Sequence, residues 1–304
     1  MTYSASNFIR CDELLPEWRE DILIGHPPIR YELGRELGSF HFTPGTVAIL
    51  GGAPGMGKTA FTMQCVVEAM LLNEKLRVCV ANVEMPPERL LERQLSRLSG
   101  VRLDDIQTRK LNPNQKKGLK KSFADLDRIG ERLVFVQSPM TLDNVANAAD
   151  FIDADLIVLD YIQRIQPKGQ HSDRRGSVDA TMDSLRQFAA AGCCVLALSA
   201  VGRSKDSRGR SSYSGDGLSL ASFRESSELE FGADDAYMLV PANGADQDST
   251  DEVVDVSLRQ LKSRYGKPDQ IDLSFDRSIQ SFDLKSSESP LGALSSLWEA
   301  PNEN

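Results

Sequence analysis

Residues Thr46 to Thr59, reading TVAILGGAPGMGKT, constrain this chain more than any other stretch. An apolar run rich in β-formers breaks into a glycine-rich turn, and Ala60 to Leu72 then reads as a helix. A backbone that wraps an anion must turn successive N–H groups inward, and glycine tolerates the torsions this needs. The helix that follows points the positive end of its dipole at the same anion. Gly52 to Thr59 fit G-x-x-x-x-G-K-[ST], the P-loop pattern. Gly52, Ala53, Pro54, Gly55, Met56, Gly57, Lys58, Thr59 and Ala60 are therefore the expected nucleotide-binding set. Lys58 supplies a mobile charge for the β- and γ-phosphates, and the Thr59 hydroxyl is a hard oxygen ligand suited to Mg²⁺. An ordinary glycine-rich βα turn is the alternative; the strand-before, helix-after context makes a chance match to the pattern rarer.

With 304 residues the chain has room for one large α/β domain or two small ones. No apolar run approaches the ~20 residues of a membrane span, and the N-terminus carries no charged-then-apolar signal pattern. The expected compartment is the cytoplasm. Five cysteines with no C-x-x-C pair read as free thiols in a reducing environment, and three histidines without metal spacing exclude a structural zinc site. A net charge of −9 argues against a nucleic-acid binder that uses its whole surface, but leaves room for a local basic channel.

Beyond the P-loop the pattern alternates. Strands are expected at residues 76–83, 133–136, 156–160 and 193–198, and helices at 88–98, 103–129, 141–151 and 178–191. Continuous apolar strands alternating with helices mean a mostly parallel central sheet flanked by helices, an α/β fold. A strand over 236–240 follows, then a C-terminal β-hairpin formed by 253–262 and 270–275. Residues 1–44 read as an N-terminal arm or linker, with a short helix over 12–18 and a docking role on a neighbouring copy as the sharper alternative. The core domain is expected over 45–284. Residues 285–304 are expected to be a disordered tail, unless Leu291, Leu294, Leu297 and Trp298 form a short partner-binding helix.

Hydrolysis needs an acid to hold Mg²⁺ and a group to orient water. Asp160 ends an apolar strand, so it sits at the carboxyl edge where open α/β sheets bind ligands. Glu84 ends the strand after the P-loop helix. If that strand is a neighbour of the P-loop strand, its carboxylate faces the γ-phosphate as a general base; an acid at a strand end is otherwise commonplace.

Val83-Glu84-Met85-Pro86, Leu159-Asp160-Tyr161-Ile162-Gln163, Ala197-Leu198-Ser199, Phe223-Arg224-Glu225-Ser226 and Lys262-Ser263-Arg264-Tyr265-Gly266 occur in this order. As a set they resemble the ATPase domain of DnaB-type replicative helicases, RecA-like P-loop motors of superfamily 4 that assemble as hexamers. The resemblance covers roughly residues 30–283. It implies that Glu84 is the catalytic glutamate and Asp160 the Walker B acid. It implies too that Arg264 is an arginine finger acting across a subunit boundary, with Lys262 beside it. From the residues alone, Lys262 and Arg264 read equally as solubilising charges on a hairpin. The sequence departs from the family pattern in three places. Ala200 stands where the family carries a γ-phosphate-sensing Gln, Pro241 where it carries an arginine, and no counterpart of the primase-binding N-terminal collar is expected.

The same resemblance turns two basic loops toward a central channel. Residues 164–177 contain Lys168, Arg174 and Arg175, and residues 202–222 contain Arg203, Lys205, Arg208 and Arg210. Cations with flexible backbone donors suit tracking of single-stranded DNA; a pair of mobile solvated loops is the alternative. The leading expectation is an ATP- and Mg²⁺-dependent ring helicase or translocase on single-stranded DNA, served by a loader or another replication partner and by no membrane. A RecA- or KaiC-like ATPase that does not unwind, and a nucleotide-gated assembly module, are the competing functions.

Overall fold

The computed structural model describes residues 9–25, 29–34, 37–38, 40–167, 169, 174–201, 204–205, 211–212, 220–223, 232–242, 250–264 and 266–285. By its internal contacts the chain divides into two units, residues 1–30 and 31–304.

Among its described residues the first unit holds one helix, α1 (Cys11–Ile24). It carries Pro16 within it, runs past the expected end at residue 18 and stops only at Gly25. That glycine adopts a left-handed conformation (φ 77°) and returns its N–H to the Asp21 carbonyl.

The second unit is built on a nine-stranded sheet. Its strands are β1 (Val47–Gly52), β2 (Val78–Asn82), β3 (Leu133–Phe135), β4 (Leu156–Asp160), β5 (Cys194–Leu198), β8 (Asp235–Pro241), β9 (Val253–Ser263), β10 (Gln270–Asp276) and β11 (Ser281–Leu284). Two short strands, β6 (Ser204–Lys205) and β7 (Ser211–Ser212), pair apart from it. The order across the sheet is β11-β10-β9-β8-β1-β5-β4-β2-β3. From β8 to β3 the neighbours are parallel, and β9, β10 and β11 are added antiparallel. The expected hairpin of β9 and β10 is present, with a third strand, β11, on its outer edge.

Helices α2 (Lys58–Leu72), α3 (Pro87–Ser99) and α5 (Pro113–Gly130) cover one face of the sheet, and α6 (Leu142–Phe151) and α7 (Arg174–Ala190) the other. The strands alternate between the two cores. Ala48 and Leu50 of β1 pack with the α2 side, Val47 and Ile49 with the α7 side. Burial on both faces makes these strands read as unbroken apolar runs.

Residues 103–129, expected as one helix, form α4 (Leu103–Thr108) and α5. Arg109 is left-handed (φ 60°), and Asn112 starts α5 afresh, its side chain accepting the Gln115 N–H ahead of Pro113. Thr141 caps α6, accepting the Asn144 N–H. Residues 31–44, read from sequence as lead-in, bury Leu33, Leu37, Phe40 and Phe42. These apolar residues are spaced without a helix or strand period, so they left no pattern to read.

β11 is tied down by α2. The Gln64 side chain both donates to the Phe282 carbonyl and accepts the Phe282 N–H, each at 2.8 Å, as a neighbouring strand would. Phe282 stacks on Phe275 with ring centroids 4.2 Å apart, and the two rings press against the P-loop at Gly57.

Candidate nucleotide site

The carboxyl ends of β1, β2, β4 and β5 converge on one cleft of about 730 Å³. Among the residues lining it are Pro54, Gly55, Gly57, Lys58 and Thr59 of the P-loop, Glu84 after β2, Asp160 at the end of β4, and Ala200 after β5. Gly55 and Gly57 have φ of 79° and 78°, the left-handed torsions that turn the loop. Ala53, Met56 and Ala60, also in the expected set, are buried and do not line the cleft.

Asp160 is 5% exposed. Its Oδ2 accepts the Thr59 hydroxyl at 2.6 Å and the Asn82 amide at 2.7 Å. Burial pushes its carboxyl up to about 6, the Thr59 hydrogen bond opposing the rise and the Glu84 charge adding to it. Lys58 folds back, donating to the carbonyls of Gly52 (2.7 Å) and Ala53 (3.2 Å). Burial pushes its ammonium down, against the pull of Asp160 and Glu84.

Glu84 reaches the cleft by a different route from the one expected. β1 and β2 are not neighbours, because β5 and β4 lie between them. β2 instead pairs with β4, placing Asn82 level with Asp160. Asn82 then accepts the N–H groups of Glu84 (2.9 Å) and Met85 (2.7 Å) on the oxygen of the amide that holds Asp160. One side chain thus sets the positions of both acids. Its sequence signal is faint: a lone amide ending an apolar strand, two residues before an acid.

Other lining residues went unread in the sequence. Arg93 of α3 flanks the apolar stripe of its helix and is half-buried. Burial lowers its pKa while Asp160 and Glu84 draw it up. Phe275, Arg277 and Gln280 come from the end of β10 and the turn into β11, and no sequence period marked β11. Ala200 presents no polar side chain. Its N–H donates to Gln163 Oε1 at 3.2 Å, and its carbonyl accepts from Gln163 Nε2 at 3.4 Å.

Lys262 and Arg264 are not brought to this cleft. Lys262 pairs with Ala236 near the start of β8, and Arg264 forms an ion pair with Asp234 at 2.8 Å. Asp234 also accepts the N–H of Val47, the first residue of β1, so Arg264 lies at the end of the sheet opposite the P-loop. Of the expected DNA contacts, Lys168, Arg203, Arg208 and Arg210 lie outside the described residues. Lys205 falls in β6. Arg174 and Arg175 open α7 rather than lying in a loop, since that helix begins four residues before the expected 178.

The residues present fit a magnesium nucleotide. Thr59 and Asp160 place two hard oxygens within 2.6 Å of one another beside the P-loop. No cluster of three His, Cys, Asp or Glu able to cage a metal is found among the described residues. Two oxygens such as those of Thr59 and Asp160 suit a Mg²⁺ that takes its other ligands from phosphate and water. No helix among the described residues is long and apolar enough to cross a membrane.

A family model, the DnaB-like helicase C terminal domain, matches residues 35–284. The replicative DNA helicase DnaB of Geobacillus stearothermophilus is 24% identical over 269 residues, covering 87% of this chain and 57% of that protein. The DnaB of Helicobacter pylori strain J99 is 35% identical over 94 residues, 31% of this chain and 18% of that protein. The chain thus spans little more than half, or less, of these relatives. Two solved structures share the fold at 18% identity. One is a DnaB-like replicative helicase studied with primase, with a TM-score of 0.75, covering 90% of this chain and 68% of that one. The other is a solved ATPase domain, with a TM-score of 0.74, covering 93% of this chain and 100% of that one. The fold is therefore the RecA-like one of these ATPase domains, and the chain belongs to the DnaB-like helicase C-terminal domain family.

Proposed function

We propose that this chain hydrolyses ATP at the boundaries between its own copies, assembled as a hexameric ring, and uses the energy to move 5′ to 3′ along single-stranded DNA as a helicase motor. One observation carries the reading. Lys58, Thr59, Asp160 and Glu84 share one cleft, while Arg264 stands at the far end of the same sheet. β1 separates the two ends by five residue steps, about 17 Å at ~3.3 Å per step. That is more than an arginine side chain spans, so Arg264 does not serve its own cleft. On an exposed edge it suits a neighbour's phosphates.

The chemistry follows from the contacts. The γ-phosphate oxygens take Lys58 Nζ from the loop carbonyls it now faces. Thr59 and Asp160 would hold Mg²⁺, which would neutralise charge on the nucleotide's phosphates. Glu84, exposed at the cleft mouth with its backbone held by Asn82, orients and deprotonates the attacking water. Arg93 adds a cation from the same subunit. Arg264 of the adjacent copy, with Lys262 beside it, stabilises the charge spreading over the transferred phosphoryl group. Hydrolysis then requires assembly. Single-stranded DNA runs past the basic segments at 164–177 and 202–222, and the N-terminal arm, with Trp18, Ile22 and Leu23 exposed on α1, docks on the neighbouring copy. A loader or another replication partner completes the assembly.

ATP turnover measured with and without single-stranded DNA, beside mass in solution, tests this reading. Turnover that appears with the assembled form and rises with DNA is expected; a monomer that cleaves no nucleotide sinks it. Ala200 favours a second reading, a DNA-stimulated ATPase that does not unwind, because no side-chain amide reaches the cleft from that position. DNA-stimulated turnover without strand displacement selects it.

A further inference from the structure

Asp234 is 1% exposed and carries two cations. Its Oδ2 is fully engaged, accepting the Val47 N–H at 2.8 Å and Arg186 Nη1, from α7, at 2.6 Å. Its Oδ1 lies 2.8 Å from Arg264 Nη1, yet receives no directed hydrogen bond. The two arginines are therefore held unequally. Arg186 makes a charge-assisted hydrogen bond, whereas Arg264 is retained by charge alone. The backbones are fixed independently of this contact. The Arg264 N–H donates to the Asp234 carbonyl at 2.9 Å, and the Asp234 N–H donates to the Val47 carbonyl at 2.8 Å. The guanidinium of Arg264 can swing away while the strand ends stay in place.

A buried carboxylate stripped of its last cation is costly. One that keeps a hydrogen-bonded arginine and a backbone N–H is not stripped. From this we infer that Asp234 parks Arg264 and Arg186 is the counter-ion that stays behind when Arg264 leaves for a neighbouring copy's triphosphate. Both are positioning residues, since neither touches substrate. The inference rests on Arg264 acting across the subunit boundary. It adds that the idle cation is held on its own subunit until a more highly charged anion competes for it. Arg186 and Arg264 are 38% and 41% exposed, so the exchange happens at an open surface and needs no refolding.

The test uses the full chain with ATP and single-stranded DNA. R186Q leaves Arg264 as the remaining cation on Asp234 and so holds it there. Turnover at saturating ATP is expected to fall about tenfold, the scale of one charge-assisted contact, with KM for ATP unchanged. D234N in the same chain removes the anchor, so the R186Q/D234N double variant is expected to turn over faster than R186Q alone. A structural role for this cluster predicts the opposite, with losses that add and a melting temperature that falls in step. Additive losses, or R186Q with wild-type turnover, overturn the inference. If the double variant does not fold, R186Q decides alone: a fall in kcat at constant KM supports the parking role, and kcat, KM and melting temperature worsening together overturns it. R264A separates the two levels. Full turnover in R264A removes the trans role itself, whereas loss in R264A with no change in R186Q removes only the parking role.

Discussion

The Thr59 hydroxyl donates to Asp160 Oδ2 at 2.6 Å, joining two residues 101 positions apart at the carboxyl edge of the sheet. The Asn82 amide donates to the same oxygen, so both of these hydrogen bonds to the buried acid fall on one atom. The arrangement suits a group waiting for a cation and carries a cost in stability.

That cost is measurable. The Asp160 carboxyl is raised from 3.8 to about 6, chiefly by burial. The folded chain thus binds the proton more tightly than the unfolded chain between about pH 4 and 6, and stability falls as pH rises through that window. Above it the ionised form costs about 2–3 kcal/mol at 1.36 kcal/mol per unit. D160N presents one neutral oxygen to both donors. In nucleotide-free, metal-free buffer it should melt higher than wild type at pH 7.5, with the gain shrinking toward pH 4. An equal or lower melting temperature at pH 7.5 would show that the acid is not strained by its burial.

Asn82 is expected to matter for rate rather than for binding. Its oxygen fixes the backbone of Glu84 and Met85, and its nitrogen fixes Asp160. N82A should leave nucleotide affinity within a few-fold of wild type and lower kcat by about 10- to 100-fold, the usual range for a side chain that orients others. Stopped-flow binding of a fluorescent ADP beside steady-state turnover separates the two effects. Unchanged kcat would show that Glu84 and Asp160 hold their places without it.

How far the sequence could be read depends on how local each feature is. The P-loop is contiguous, so its turn, cation and hydroxyl were all visible in Gly52 to Thr59. β4 and β5 were visible because two-sided burial writes an unbroken apolar run. The sheet order was not visible. The expected route for Glu84 assumed that β2 neighbours β1, whereas β2 lies beside β4, an arrangement set by packing between segments some 80 residues apart. β11 is four residues long and held by the Gln64 side chain, so neither length nor period announced it. Asp234 looked like any acid before a strand. Its partners, Arg186 and Arg264, come from opposite directions along the chain, and only the folded form brings them together.

Two glycines of the loop should respond differently to the same change. Gly55 and Gly57 share the left-handed torsion, so an alanine strains either by about 1–2 kcal/mol. A Cβ at Gly55 meets nothing within 4 Å, whereas one at Gly57 comes within 2.8 Å of both the Phe275 and Phe282 rings. Those rings are stacked and buried and do not yield freely, so overpacking adds about 1–3 kcal/mol. G57A should therefore unfold at clearly lower urea than G55A. Equal midpoints would mean that the aromatic pair moves aside.

The division of labour between copies has its sharpest test in two inactive variants. E84Q keeps Arg264 but loses the base, and should bind ATP while turnover falls about 10²- to 10⁴-fold. R264A keeps the base but cannot serve its neighbour. Mixed in equal amounts and allowed to assemble, an R264A copy contributes Glu84 to its own cleft, and an adjacent E84Q copy contributes Arg264 to that same cleft. In a closed ring of random order about one boundary in four has both groups. Turnover of the mixture should exceed that of either variant alone. A mixture as inactive as its parts would place both residues in the service of one subunit, which the about 17 Å separation along β1 argues against.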